Sequence, residues 1–303
     1  MQRSIRVVGA PTSIGIRPYD DGTVRRLDEA PGVLRRLGLV ERLGAADFGD
    51  VMPRPYKDFE RPSGRPRNER EVAEYTTALA DRVAAARSDD SFVLVLGGDC
   101  SIVLGCLLGL RGVGRVGLAY VDAHSDFATP EESYTGSVAS MCLAMAVGRG
   151  DSPLARVASG EPVARVEDVV VVGRSDHTED GRYGEDAMRE MGVADLAFSR
   201  VRADGEQTVA LEALERLTRP ELDGFWIHVD ADVLDGAIMP AVDSPADGGL
   251  SLDALAELLR PLVDHPRALG MELTIYDPGL DPDGVCGARL ASLLEEVLAP
   301  AGR

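Results

Sequence analysis

Carboxylates at alternate positions are the first chemistry this sequence offers. In "YVDAHSDF" Asp122, His124 and Asp126 recur every second residue, and in "HVDADVLD" Asp230 and Asp232 do the same. Residues two apart on extended chain share a face, so each string gathers ligand-type side chains on one side. Both strings follow apolar, β-rich runs. Four carboxylates brought to one sheet edge repel one another and take up protons strongly unless a cation neutralises them, and a polyvalent metal is the economical explanation. A third string, "LVLGGDCSIVLG" at 94–105, places a glycine pair, Asp99 and the thiol of Cys100 directly after another apolar run.

The elements that must position these groups alternate along the chain. Strand-like runs read "IRVVG", "FVLVLGG", "VGLAYVDAH", "VEDVVVVGR", "GFWIHVDAD" and "ALGMELTIYDP", with helical segments between them. That alternation predicts a doubly wound, mostly parallel α/β sheet, in which ligands bind beyond the carboxyl ends of the strands. The clearest helix is "NEREVAEYTTALADRVAAARS", where Val72, Tyr75, Leu79 and Val83 form one stripe and Asn68 is placed to cap. Further helical patterns fall at 101–111, 181–191, 206–217, 251–263 and 287–298. Residues 50–70 look irregular and read as an excursion near the mouth of the site. One domain over 1–303 is expected, without repeats or low-complexity tracts.

Composition narrows the function. Hydrophobic residues make up 45% of the 303, enough for a substantial core, and 32 Lys plus Arg against 51 Asp plus Glu give a net charge of -19. Such a field repels nucleic acid and anionic membrane surfaces and favours neutral or cationic small molecules. The apolar run near the N-terminus is too short for a signal segment, and no stretch approaches a membrane span, so the cytoplasm is the expected compartment. Four cysteines without paired spacing read as reduced thiols, with Cys106, Cys142 and Cys286 in the core.

The ordered set "GGDCS" at 97–101, "DAHSD" at 122–126 and "DADVLD" at 230–235 resembles the ureohydrolase family of arginases, agmatinases and formimidoylglutamases, over most of the chain. The resemblance implies a three-layer α/β/α fold and two manganese ions bridged by a hydroxide that attacks a guanidinium or formimidoyl carbon. It also implies a homo-oligomer, trimeric or hexameric. On this pattern Asp122 and Asp230 bridge the ions, His124 and Asp232 complete one ligand set, and Cys100 and Asp126 complete the other. The family usually has histidine where Cys100 stands. Thiolate is the softer donor, so zinc, ferrous iron or cobalt would suit that position better than manganese. The alternative is a Cys100 that points away, leaving a one-metal enzyme.

Other departures touch the substrate. Where arginases carry an asparagine, a serine and a proton-shuttling histidine after the "DAHSD" string, this chain has Ala128, Thr135 and Ala139. Thr135 retains a hydroxyl, whereas Ala128 cannot hold an α-carboxylate and Ala139 cannot carry a proton. Ile275 stands where the family's guanidinium-gripping glutamate is expected. Glu272, three residues earlier, takes over that grip only if a bulge shifts the strand register. His177 occupies the place of the aspartate that binds an α-ammonium, Ser244 that of a pocket threonine, and His228 that of the serine opening the last motif.

The expected activity is metal-dependent hydrolysis of a carbon–nitrogen bond in a guanidino or amidino compound other than ordinary arginine. Asp126, and Glu272 if the register allows, are the expected catalytic groups. Thr135, His177 and Ser244 are the expected substrate contacts. A true arginase with rearranged contacts, and a non-catalytic protein that keeps the fold to bind a ligand, stay open beside it.

Overall fold

A computed structural model describes residues 3–57, 61–157, 160–175 and 179–299, without the side chains of 179–183. Its strands are β1 (Ser4–Gly9), β2 (Ala46–Asp50), β3 (Ser91–Leu96), β4 (Val116–Val121), β5 (Val169–Val172), β6 (Ala194–Leu196), β7 (Gly224–Asp230) and β8 (Ala268–Thr274). They form one eight-stranded sheet in the order β2-β1-β3-β8-β7-β4-β5-β6, with every pairing parallel. The six strands expected from sequence are those with long apolar runs; all six residues of β3 and all seven of β7 are buried. Burial on both faces is what a parallel sheet covered by helices requires. The two strands the sequence pattern missed are the sheet's edges. β2 is mostly exposed and reads "ADFGD", and β6 has three residues, so neither shows an apolar run.

Helices cover both faces, giving three α/β/α layers. On one side Glu69–Ala86 packs on Ile102–Gly109; on the other, Glu206–Leu217, Leu252–Asp264 and Val285–Leu298 pack in succession. The stripe Val72, Tyr75, Leu79 and Val83 is buried as its spacing requires. Asn68 does not cap. It lies in left-handed backbone at φ 49°, and its amide donates to Ile14 O at 2.9 Å, tying the helix entrance to the loop after β1. The irregular segment near 50–70 packs on the 130s loop, where Arg61 Nη2 donates to Ser133 O at 2.8 Å. Among the described residues no helix is long and apolar enough to cross a membrane.

Candidate metal centre

The turn after β3 sets the first ligand. Gly98 has no room for a side chain, because an added Cβ would lie 2.1 Å from Thr12 O. Asp99, fully buried, accepts the N–H groups of Gly15 and Ser101, each at 3.1 Å, and so clamps this turn to the loop after β1. Cys100 is thereby turned inward. Its Sγ lies 2.8 Å from Asp230 Oδ2 and 3.4 Å from Thr274 Oγ1, so the outward-facing alternative does not hold. Burial, reinforced by Asp230, pushes the thiol well above its ordinary range, and it donates to the Asp230 carboxylate.

Asp122 and Asp230 stand at adjacent strand ends, since β4 pairs β7. In "DAHSD" a turn, not the alternation of extended chain, brings Asp122 and His124 together. β4 ends at Val121, and beyond it Asp122 Oδ1 accepts the His124 N–H at 2.6 Å in a tight turn rather than in extended chain. Asp230 Oδ1 does the same for the Asp232 N–H at 2.8 Å. The two turns bring His124 Nδ1 to 3.0 Å from Asp232 Oδ2 and 3.6 Å from Asp122 Oδ1.

Among the described residues two donor groups result, each with its ligand atoms within 4.8 Å of one another: Cys100, Asp122, His228 and Asp230 in one, Asp122, His124 and Asp232 in the other. Asp126 belongs to neither, against the sequence expectation. Its backbone turns into the left-handed region at φ 45°, and its Oδ2 accepts the Tyr120 hydroxyl at 2.5 Å and the Cys142 thiol at 3.6 Å. His228 stands in the Cys100 group instead.

The donors fit divalent metal. Asp122 Oδ2, Asp232 Oδ1 and His228 Nε2 are buried without a hydrogen-bond partner. Each such atom costs roughly 1–3 kcal/mol if left so. Burial, with Asp232 and Asp122 as neighbouring charges, drives the Asp230 carboxyl well above the carboxylate range, and burial with Asp122 does the same to Asp126. Burial opposes ionisation of Asp122 as well, but His124 and His228 outweigh it and hold that carboxyl below the usual range. Carboxylate, imidazole and thiolate donors together suit manganese, iron, cobalt or zinc.

Below the carboxylates a buried row crosses three strands. Tyr120 pairs His228, which pairs Glu272. Glu272 has no exposed surface; it accepts the Trp226 indole N–H on Oε2 and meets His228 Nδ1 at 2.8 Å on Oε1. It therefore does not grip a substrate. The β7–β8 register does shift, but between Phe225 and Trp226, and from Trp226 to Asp230 the pairing is regular. Burial would lower the affinity of His228 for a proton, yet Asp122 and Glu272 outweigh it and push the ring up to about 9.

Above the centre opens a cavity of about 490 Å³. Cys100, His124, Asp126, Asp230 and Asp232 form its floor, and Ala128, Thr135, Ala139, Ser244 and Ile275 line it. Thr135 Oγ1 accepts the Ser137 N–H at 3.1 Å, and Ser244 Oγ donates to Asp243 Oδ2 at 3.3 Å. Ile275 is buried at φ 66°, a strained conformation for a β-branched residue. His177 lies outside the described residues. Sequence reasoning missed Arg17 and Arg25, which reach the wall from the segment after β1; Arg25 pairs with Asp243 and stacks 4.1 Å from the Tyr19 ring.

A parallel α/β sheet with a carboxylate, imidazole and thiol cluster at its C-terminal edge defines a metal-binding α/β class of protein. Residues 4–299 match the model of the arginase family. The chain is 32% identical over 287 residues to an arginase of Bacillus caldovelox, covering 92% of each, and 28% identical over 306 residues to an arginase of Brevibacillus brevis, covering 98% of each. It superimposes on the crystal structure of an arginase from Bacillus cereus with a TM-score of 0.87 at 27% identity, over 99% of this chain and 100% of that one. The chain belongs to the arginase family.

Proposed function

We propose that this protein hydrolyses a carbon–nitrogen bond of a guanidino or amidino compound other than ordinary arginine, using two divalent ions. The observation that carries the reading is the pair of donor groups sharing Asp122, of which Cys100, His124, Asp230 and Asp232 line a cavity. When bound there, divalent ions would neutralise the carboxylates and make water more acidic. His124 and Asp232 would hold one ion, Cys100 and Asp230 the other, with Asp122 common to both. Close-packed buried carboxylates destabilise a fold that gives them no cation, which argues against a binding protein that has lost its chemistry.

The proton work falls to Asp126. It lies on the cavity floor, its affinity for a proton is raised by burial and by Asp122, and the Tyr120 hydroxyl fixes its orientation. Asp126 takes a proton from the attacking water and returns one to the leaving nitrogen, a transfer Ala139 cannot perform. Replacing Asp126 by Asn is expected to lower kcat by about 10²-fold or more, the scale of a lost acid–base group, while leaving metal content unchanged. Loss of an ion in that variant would make Asp126 a ligand instead.

Removal of metal tests the whole reading. Protein stripped with a chelator should release no urea or ammonia from any guanidino compound, and manganese, cobalt or zinc should restore release. Activity indifferent to chelation would exclude metal-assisted hydrolysis. A metal-loaded protein inert toward every guanidino compound would favour the non-catalytic reading. The identity to arginases supports a second reading, an arginase with rearranged contacts, and a specificity comparison separates the two.

A further inference from the structure

We propose that His228 is a metal ligand of the Cys100 group, binding through Nε2, and that Glu272 and Trp226 hold its ring in the required tautomer; this rests on the two-ion reading above. The hydrogen bonds assign the ring nitrogens. The Trp226 indole can only donate, and it occupies Glu272 Oε2. Glu272 Oε1 is left to accept, so the Nδ1 that meets it at 2.8 Å carries a hydrogen. Nε2 is then the nitrogen that faces the centre, and it ligates once metal displaces its proton.

That nitrogen has no partner. It is fully buried and lies 3.8 Å from Asp122 Oδ2, too far for a hydrogen bond, and Asp122 Oδ2 is itself unpartnered. Two buried, unpartnered ligand atoms facing each other across such a gap are the arrangement a cation resolves. A ring nitrogen of His228, Cys100 Sγ, an Asp122 oxygen and an Asp230 oxygen all lie within 4.8 Å of one another. A carboxylate that orients a ligating imidazole through its other nitrogen is the usual support for a metal-bound histidine.

The surroundings fix the ring rather than merely fill space. Tyr120 stacks on it at 4.1 Å with the planes 10° apart. The Trp226 indole lies over Gly270, where a Cβ would meet the ring at 2.4 Å, so glycine there lets the indole reach Glu272. His228 and Asp230 are two residues apart on β7 and share a face, which puts the imidazole one layer below the carboxylates and out of reach of substrate. Glu272 and Trp226 are thus positioning residues, acting through His228.

Cobalt titration of the full-length, metal-stripped protein tests this, read by absorption and by bound cobalt after gel filtration. A near-ultraviolet thiolate-to-cobalt band marks the Cys100 group, and Cys100→Ser should remove it. In His228→Asn the band should need at least about tenfold more cobalt, while the His124 group still fills as in the parent protein. Glu272→Gln should shift the band in the same direction within the 10–100-fold range of a lost supporting partner. Should His228→Asn not fold, proton NMR of the cobalt-loaded parent decides: a strongly shifted ring N–H that exchanges slowly, being covered by Glu272, is expected, and its absence overturns the assignment. An unshifted band in a folded His228→Asn overturns it too and leaves the two-ion reading standing. A parent protein that takes up no cobalt removes both.

Discussion

Asp122→Asn is expected to leave the protein unable to retain either ion and to lower hydrolysis by at least about 10³-fold, within the range of lost acid–base and metal-assisted chemistry. Asp122 is the residue common to both donor groups. Its two oxygens do different work: Oδ1 holds the His124 turn through a backbone N–H at 2.6 Å, and Oδ2 is buried, unpartnered and faces His228 Nε2. Asparagine keeps the first function, since its carbonyl oxygen still accepts. It destroys the second by pointing an N–H donor at the imidazole where a shared negative oxygen stood. The variant should therefore fold, but in metal-free buffer it should unfold below the temperature of the parent, because it loses the charge that His124 and His228 stabilise. Metal analysis and thermal unfolding with and without manganese check this. The parent should be stabilised by metal, by about 4 kcal/mol at a thousandfold excess over Kd, and the variant should show no response. Two tightly bound ions in Asp122→Asn would remove the shared carboxylate from the design.

How far the centre could be read from sequence depended on whether a residue's place is set locally. The apolar runs of β3, β4 and β7 announced themselves because strands buried on both faces leave continuous hydrophobic sequence. The edges β2 and β6 did not, being short or exposed. Residue alternation served well inside a strand and failed past its end. It places His228 on the face of Asp230, a signal present in "IHVD", yet it misplaces Asp126, whose positive φ no alternation foresees. Glu272 suggests itself as a substrate grip only because it stands three residues before Ile275, the position that the resemblance assigns to the gripping glutamate. Its true partners, Trp226 and His228, come from pairing with a strand some forty residues earlier. Arg25 was illegible for the same reason, since its partner Asp243 is 218 positions away.

Arginine is expected to be a poor substrate, at least about 10²-fold below the best member of a panel of guanidino acids, guanidino amides, agmatine-like amines and N-hydroxylated guanidines, compared by kcat/KM with manganese, cobalt and zinc in turn. Arginine brings an α-carboxylate, an α-ammonium and a guanidinium into one cavity, and each needs a polar partner as it loses water. Ala128 and Ile275 line the cavity with methyl and alkyl surface where two such partners would stand. Glu272 cannot substitute, being sealed beneath His228. Ile275 is held there in strained left-handed backbone, its N–H donating to Gly98 O at 2.9 Å, so it cannot swing aside for a neighbouring carboxylate. Each polar group of arginine buried against those alkyl side chains without a partner costs about 1–3 kcal/mol, so two such losses account for a deficit of about 10²-fold. The cations on the wall, Arg17 and Arg25, are engaged by Asp20 and Asp243. With Ala139 unable to share the proton transfer, Asp126 carries it alone, which favours a nitrogen that leaves easily, as in an N-hydroxylated or otherwise modified guanidine. If arginine instead gives the highest kcat/KM of the panel, at about 10⁴ per molar per second or above, Ala128 and Ile275 do not govern specificity and the protein is an arginase that grips its substrate by other residues.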